Sequence, residues 1–287
     1  MAWAENRPGG VRANLEGASL NEANLEGVNL SGASLRSTTL LEARLAGANL
    51  SGADLGGADL RQAELTGADL TGANLSGAKL QMALLGEANL SETMLHDCSF
   101  RHANLREARL MDASIRAADF TGATMNGAGL HHAKVFGGDF SDANLEAALF
   151  YHARLQMCRF VAANAVRANF SFTRLQSCDF QNAQLTGARF FQADLRCTCF
   201  SRSLMGDCDF REAKLAAAEF VETLLTGARF ENAVLAAADL RRANLKGAHE
   251  LTATQLGQAR TNADTVLPNG RRGPFMKGSH AERPARR

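Results

Sequence analysis

The sequence has no phosphate-binding Gly-rich loop, no dinucleotide fingerprint, no nucleophile elbow and no metalloprotease helix, so the short motifs that mark the common enzyme chemistries are missing. It also has no apolar run long enough to cross a bilayer and no secretory hydrophobic segment at its start. A cytoplasmic protein is expected, with no membrane insertion, unless export uses a route without a signal peptide. Net charge is nearly absent, 31 basic against 30 acidic residues, and says little about partners. Six cysteines occur without metal-ligand spacing, and Cys197 and Cys199 in "RCTCF" have no second pair, which argues against a zinc site. His132 and His152 are twenty residues apart beside His131, but a metal needs further converging ligands. No catalytic residue, cofactor or metal is expected, and the chain reads as a non-enzymatic protein.

What the sequence does have is a period of five. From Leu15 to Leu245 every fifth position, 47 in all, is Leu, Phe, Ile, Met or Val, with the single exception of Ala165. Two places earlier stands a small residue, usually Ala, with Val28, Thr38, Cys98, Gly138 and Ser203 among the substitutes. The residue between is commonly Asn or Asp, and Gly often follows two places after the large residue, as at Gly52 and Gly67. Neither a helix nor a long strand has this period. Two apolar residues flanking a polar one make a short strand that turns both inward, and the next two residues suit a corner. Strand and corner in alternation give a coil stacked on itself, in which each turn touches only its neighbours.

The stretches "ADLTG" at residues 68–72 and "ANLSG" at residues 73–77 make the chain resemble the pentapeptide-repeat family. The resemblance runs over roughly residues 11–248 and implies an all-β fold: a right-handed, four-sided parallel β-helix. The Phe residues support four sides independently. From Phe140 to Phe230 the inward residue is Phe at every second repeat, which on a square coil stacks Phe in columns on two opposite sides. Ala165 then makes room for Phe160 and Phe170. About twelve coils at a strand spacing of ~4.8 Å would extend ~55 Å. Cys98, Cys158, Cys178 and Cys208 fall in the small inward column, where cysteine behaves as a small hydrophobe; Cys158 and Cys178 stack one coil apart with side chains poorly aimed for a disulfide.

Four segments are expected: an N-terminal cap or flexible segment at 1–10 with Trp3, the β-helix at 11–248, a C-terminal cap at 249–270, and a disordered basic tail at 271–287. Thr252 and Gln255 form a capping-box pattern, so a short helix from about Thr252 to Arg260, using Leu251 and Leu256, should cover the last coil. Val266 and Leu267 extend that cap or meet a second copy, giving a homodimer. The tail carries six basic side chains against Glu282, a sum of +5, which leaves −4 for the rest. A solubilising end is its expected role, with contact to nucleic acid or an acidic partner the alternative.

Function should then lie on the outward columns, where residues twenty apart are vertical neighbours. One column reads Lys134, Arg154, Arg174, Asp194, Lys214; the next is mainly acidic, with Asp119, Asp139, Arg159, Asp179, Glu219 and Asp239. Lys134 with Asp139 and Lys214 with Glu219 could neutralise each other across the shared edge. The side before the basic column carries His131, His132, Tyr151, His152, Phe172 and Phe191. Exposed aromatics beside arginine are the composition of interface hot spots. The expected contact patch is therefore these residues with Lys134, Arg154 and Arg174, on a rigid scaffold for a protein partner. The resemblance implies two alternatives. Some family members bind DNA gyrase by imitating DNA and protect it from topoisomerase poisons, and others are exported as bacterial effectors. Charge argues against the first: DNA bears one negative charge per ~1.7 Å, so about thirty would be needed over ~55 Å.

Overall fold

The computed structural model describes residues 12–284, so the expected covering of a first coil by Trp3 and residues 1–10 lies outside the described residues. The chain divides into two compact units, Met1–Asn144 and Leu145–Arg287.

In the first unit every five-residue step forms one side of a coil. Asn14 bridges Ser34, Ser19 bridges Thr39, Asn24 bridges Arg44 and Asn29 bridges Asn49, all parallel. Partners twenty residues apart on a period of five mean four sides, and the unit is the four-sided parallel β-helix that the sequence implied. One side shows the hydrogen-bond rule. Leu15 N–H donates to Ser34 O at 2.8 Å, and Ser34 N–H donates to Ala13 O at 2.9 Å. Ala18 N–H closes the corner on Leu15 O at 3.0 Å, with Gly17 at φ 65°. The same left-handed corner holds Glu22 and Ser37, at a cost of about 1–2 kcal/mol each relative to glycine. Small Ala33 and large Leu35 point inward and are fully buried. Three sides lengthen into strands β1 (Met94–His96), β2 (Ser114–Arg116) and β3 (Lys134–Phe136), parallel and in register Leu95↔Ile115↔Val135. Phe100, Phe120 and Phe140 stack behind one side at 4.8 and 4.9 Å.

The second unit obeys the same rule: Arg154 bridges Arg174, Arg159 bridges Asp179, Asn164 bridges Gln184 and Asn169 bridges Arg189. Its β4 spans Arg154–Gln156. The two expected Phe columns are present. Phe150, Phe170, Phe190, Phe210 and Phe230 stack at 4.8 to 5.3 Å, and Phe160, Phe180, Phe200 and Phe220 at 4.4 to 5.2 Å. The columns meet edge to face along the axis, as at Phe170–Phe180, 5.7 Å and 86°. Beside Ala165 the edge contact Phe160–Phe170 persists at 6.0 Å. Each buried ring contributes about 1.5–3 kcal/mol, and each edge contact adds ~0.5–1.5 kcal/mol.

Polar residues enter the small inward column because the backbone offers them an acceptor. Thr198 Oγ1 donates to Leu175 O at 2.7 Å, Ser203 Oγ to Phe180 O at 2.6 Å and Thr223 Oγ1 to Phe200 O at 2.8 Å. Cys208 Sγ does the same to Leu185 O at 3.0 Å. All six cysteines are free; Cys197 is exposed and Cys98, Cys158, Cys178 and Cys208 are buried. Burial pushes the Cys98 thiol up to about 12 and raises Cys208 as well, while Cys178 is raised by its hydrogen bond with Cys158 and by burial. A thiol-labelling time course on the folded chain should therefore modify Cys197 first and leave those three unreacted until unfolding. Rapid labelling of Cys208 would contradict the packing.

At the C-terminal end the expected helix forms as α1, Ala253–Gln258, slightly shorter than 252–260. Thr252 is its N-cap and Gln255 closes the capping box. Leu251 and Leu256 are buried. Val266 bridges Asn244 in parallel and Arg272 in antiparallel. Over its described part the basic tail makes hydrogen bonds with the segment before it. Gly273 N–H donates to Thr265 O at 3.1 Å, Phe275 N–H to Thr261 Oγ1 at 2.9 Å and Asn269 N–H to Ala281 O at 3.2 Å. The composition of 271–284 suggested solvation. The strand edge at Val266, however, supplies backbone partners that composition does not reveal.

Candidate functional site

Outward side chains come from the residues on either side of each inward Leu or Phe, and from the left-handed corner residue after them. In the second unit this placement brings together four of the expected contact residues. Tyr151 and His152 follow inward Phe150, Phe172 follows Phe170 by two, and Phe191 follows Phe190. Tyr151 lies 4.9 Å from His152, whose ring stacks on Phe172 at 4.9 Å and 17°. Phe172 meets Phe191 edge-on at 5.4 Å and 89°. Phe172 is 41% exposed and, like His152, has positive φ, 60° and 61°. A bulky residue there is strained, yet this is the fold's ordinary corner, so the angle itself implies no function. Around the corner Arg154 and Arg174 are exposed and vertically adjacent.

His131, His132 and Lys134 belong to the first unit. His132 and Lys134 are exposed and His131 is half-buried, and burial together with the His132 charge lowers the His131 pKa. The ladder of the second unit is thus taken without them. Reading outward columns from sequence missed Arg211, whose guanidinium carbon sits 5.6 Å over the Phe191 ring. The signal was available: 191 and 211 are twenty apart.

Sequence reasoning also missed a recurring Asp-x-Arg clamp around one inward residue. Arg196 Nε donates to Asp194 Oδ1 at 2.8 Å and Nη2 to Oδ2 at 2.7 Å. Arg211 grips Asp209 with the same two distances, and Arg61 grips Asp59 likewise. Arg241 Nη2 reaches Asp239 Oδ2 at 2.6 Å. Among the described residues no ion pair joins Lys214 to Glu219, the pairing expected across the edge; Glu219 instead accepts from Cys199 Sγ at 3.5 Å. The Arg241 hydrogen bond holds the Asp239 carboxyl below its ordinary 3.8 against the opposing effect of burial. A lowered folded pKa stabilises above the unfolded value, and that stabilisation is lost as pH falls through the folded value. The stability gap between wild type and Asp239→Asn should be full at neutral pH and close below 3.8, measured by denaturant melts across pH. A gap independent of pH would remove the clamp from the stability account.

Among the described residues no group of three His, Cys, Asp or Glu side chains could hold a metal, and no helix is long and apolar enough to cross a membrane.

Comparison with protein families matches the description "Pentapeptide repeats" over residues 11–45, 43–81, 73–112, 88–127 and 103–142, and "Pentapeptide repeat region" over residues 173–250. Similar solved structures include HetL from the cyanobacterium Nostoc sp. strain PCC 7120, involved in heterocyst differentiation regulation. It is 25% identical, with 94% of this chain and 96% of that one covered and a TM-score of 0.31. A trypsin-treated form of QnrB1, a plasmid-mediated fluoroquinolone resistance protein, is 20% identical over 51% and 79% of the two chains, with a TM-score of 0.34. A protein of the Arabidopsis thaliana thylakoid lumen is 22% identical over 50% and 68%, with a TM-score of 0.15. No curated protein matches this chain.

Proposed function

The chain belongs to the pentapeptide-repeat family, and from that premise we propose that it is a non-enzymatic scaffold whose second unit docks a protein partner along the Tyr151–His152–Phe172–Phe191 edge. The observation that carries this reading is the continuous ring ladder itself, four outward aromatic side chains in mutual contact on one corner. A contiguous aromatic strip, exposed at His152 and Phe172 and half-buried at Tyr151 and Phe191, is the composition of a hot spot. The coil beneath is rigid, so little ordering is lost on association.

Affinity capture with wild type and with a Tyr151→Ser, Phe191→Ser, Arg154→Gln variant tests the proposal. Loss of the recovered partner supports it; unchanged recovery overturns it. Phe172→Gly provides a stability-matched control. It relieves about 1–2 kcal/mol of corner strain while losing two ring contacts, to His152 and Phe191, worth ~0.5–1.5 kcal/mol each, so its melting temperature should move little while binding weakens.

Imitation of DNA toward gyrase is not the reading we adopt. The chain has 31 basic against 30 acidic residues, and three of the outward carboxylates, Asp194, Asp209 and Asp239, each have both oxygens engaged by an arginine. A supercoiling assay with ciprofloxacin checks this, and neither protection nor inhibition is expected.

A further inference from the structure

The ring ladder of the second unit is bordered by arginines that the fold leaves without a counter-charge. Seven arginines of its coils sit in ion pairs, for example Arg167 with Glu146 at 2.5 Å and Arg202 with Glu222 at 3.2 Å. Among the described residues Arg154, Arg174 and Arg189 have no such pair, and all three are exposed. The register explains why. Arg174 bridges Asp194 and Arg189 bridges Asp209, so each has a carboxylate in its own column. Both carboxylates are already taken. Asp194 accepts from Nε and Nη2 of Arg196 and from Gln176 Nε2 at 2.7 Å, and Asp209 is clamped by Arg211. Arg154 faces Arg174 as its vertical neighbour, a like charge at a strand spacing of ~4.8 Å.

Position ties these charges to the rings. Arg189 and Phe191 flank inward Phe190 and share its outward side. Arg154 and Arg174 follow His152 and Phe172 by two residues, around the same corner. One face each of His152, Phe172 and Phe191 is, moreover, already taken: His152 lies flat on Phe172, and Arg211 covers Phe191. Stacked bases need free ring faces.

Resting on the docking reading above, we infer that the partner contributes an acidic segment, with carboxylates against Arg154, Arg174 and Arg189 and an apolar side chain on the ring ladder. Uncompensated guanidiniums select negative charge, and the apolar strip supplies the anchor. Such charges set specificity and association rate.

The test is fluorescence anisotropy on the full chain with a labelled peptide repeating Glu-Glu-Leu, a matched peptide repeating Gln-Gln-Leu, and a short oligothymidylate. The Glu peptide should bind at least about tenfold tighter than the Gln peptide at low salt. The difference should vanish when Arg154, Arg174 and Arg189 are all changed to Gln, with the melting temperature unchanged. Equal affinity for the two peptides overturns the acidic assignment; if that shared binding is lost in Phe191→Ser, the docking reading survives without it. Tighter, arginine-dependent binding of oligothymidylate would give the strip to single-stranded nucleic acid. Binding by none of the probes also overturns the inference, and the affinity capture above still judges the docking reading on its own.

Discussion

Phe190→Ala should destabilise the second unit by about 3–5 kcal/mol, the cost of deleting a fully buried ring from a site that cannot collapse. Phe190 is stacked between Phe170 at 5.1 Å and Phe210 at 5.2 Å, and its edge contacts reach Phe200 at 5.7 Å and Phe180 at 6.4 Å. One truncation therefore opens a gap in one column and removes edge contacts from the other. Because each coil is held mainly by its two neighbours, the damage should be local. Hydrogen exchange should show lost protection centred on residues 170–210, with less change toward residue 240. Uniform loss across the unit would mean that it unfolds as one block, and no loss would mean that the ring columns do not hold it together.

The second large effect is expected at the end coil. Gln255 Nε2 donates to Phe230 O at 2.8 Å and to Ala233 O at 2.9 Å, both buried contacts. Its Oε1 accepts from Thr252 N–H at 2.7 Å. Gln255→Ala leaves the buried Ala233 carbonyl without a donor, at about 1–3 kcal/mol, leaves Phe230 O only its bond from Ala233 N–H at 3.0 Å, and removes half of the capping box, worth about 0.5–2 kcal/mol. A loss of about 2–5 kcal/mol is expected in chemical denaturation, with exchange protection falling first around residues 230–245. Gln255→Glu keeps the size but replaces the donating amide with an acceptor, and should be at least as damaging. A Gln255→Ala variant with wild-type stability would show that α1 does not seal the coil.

The repeat was legible because one number governs it. A five-residue period fixes which residues turn inward, and alternating Phe residues fix the number of sides, so Phe160, Phe170 and Phe180 could be placed before any coordinates were known. Left-handed corners were legible only where Gly stands; Phe172 and His152 adopt the same angle because their neighbours in the coil impose it. The contacts of the C-terminal segment were not legible in its composition, because they run to the nearby strand edge at Val266, which bridges Arg272. At the candidate surface the columns were readable and their contacts were not. A twenty-residue spacing shows that Arg174 sits above Asp194, yet only the side-chain geometry shows that Arg196 reached that carboxylate first.

Bridges between residues twenty apart also dictate how this chain can change length. A duplication or excision of twenty residues adds or removes one storey, and every later side chain keeps its compass direction. A change of five residues is equally compatible with the backbone, but it swings everything after it by a quarter turn. Between Phe172 and Phe191 such a slip would carry the later ring onto a different wall, leaving a sound building with its doorway divided.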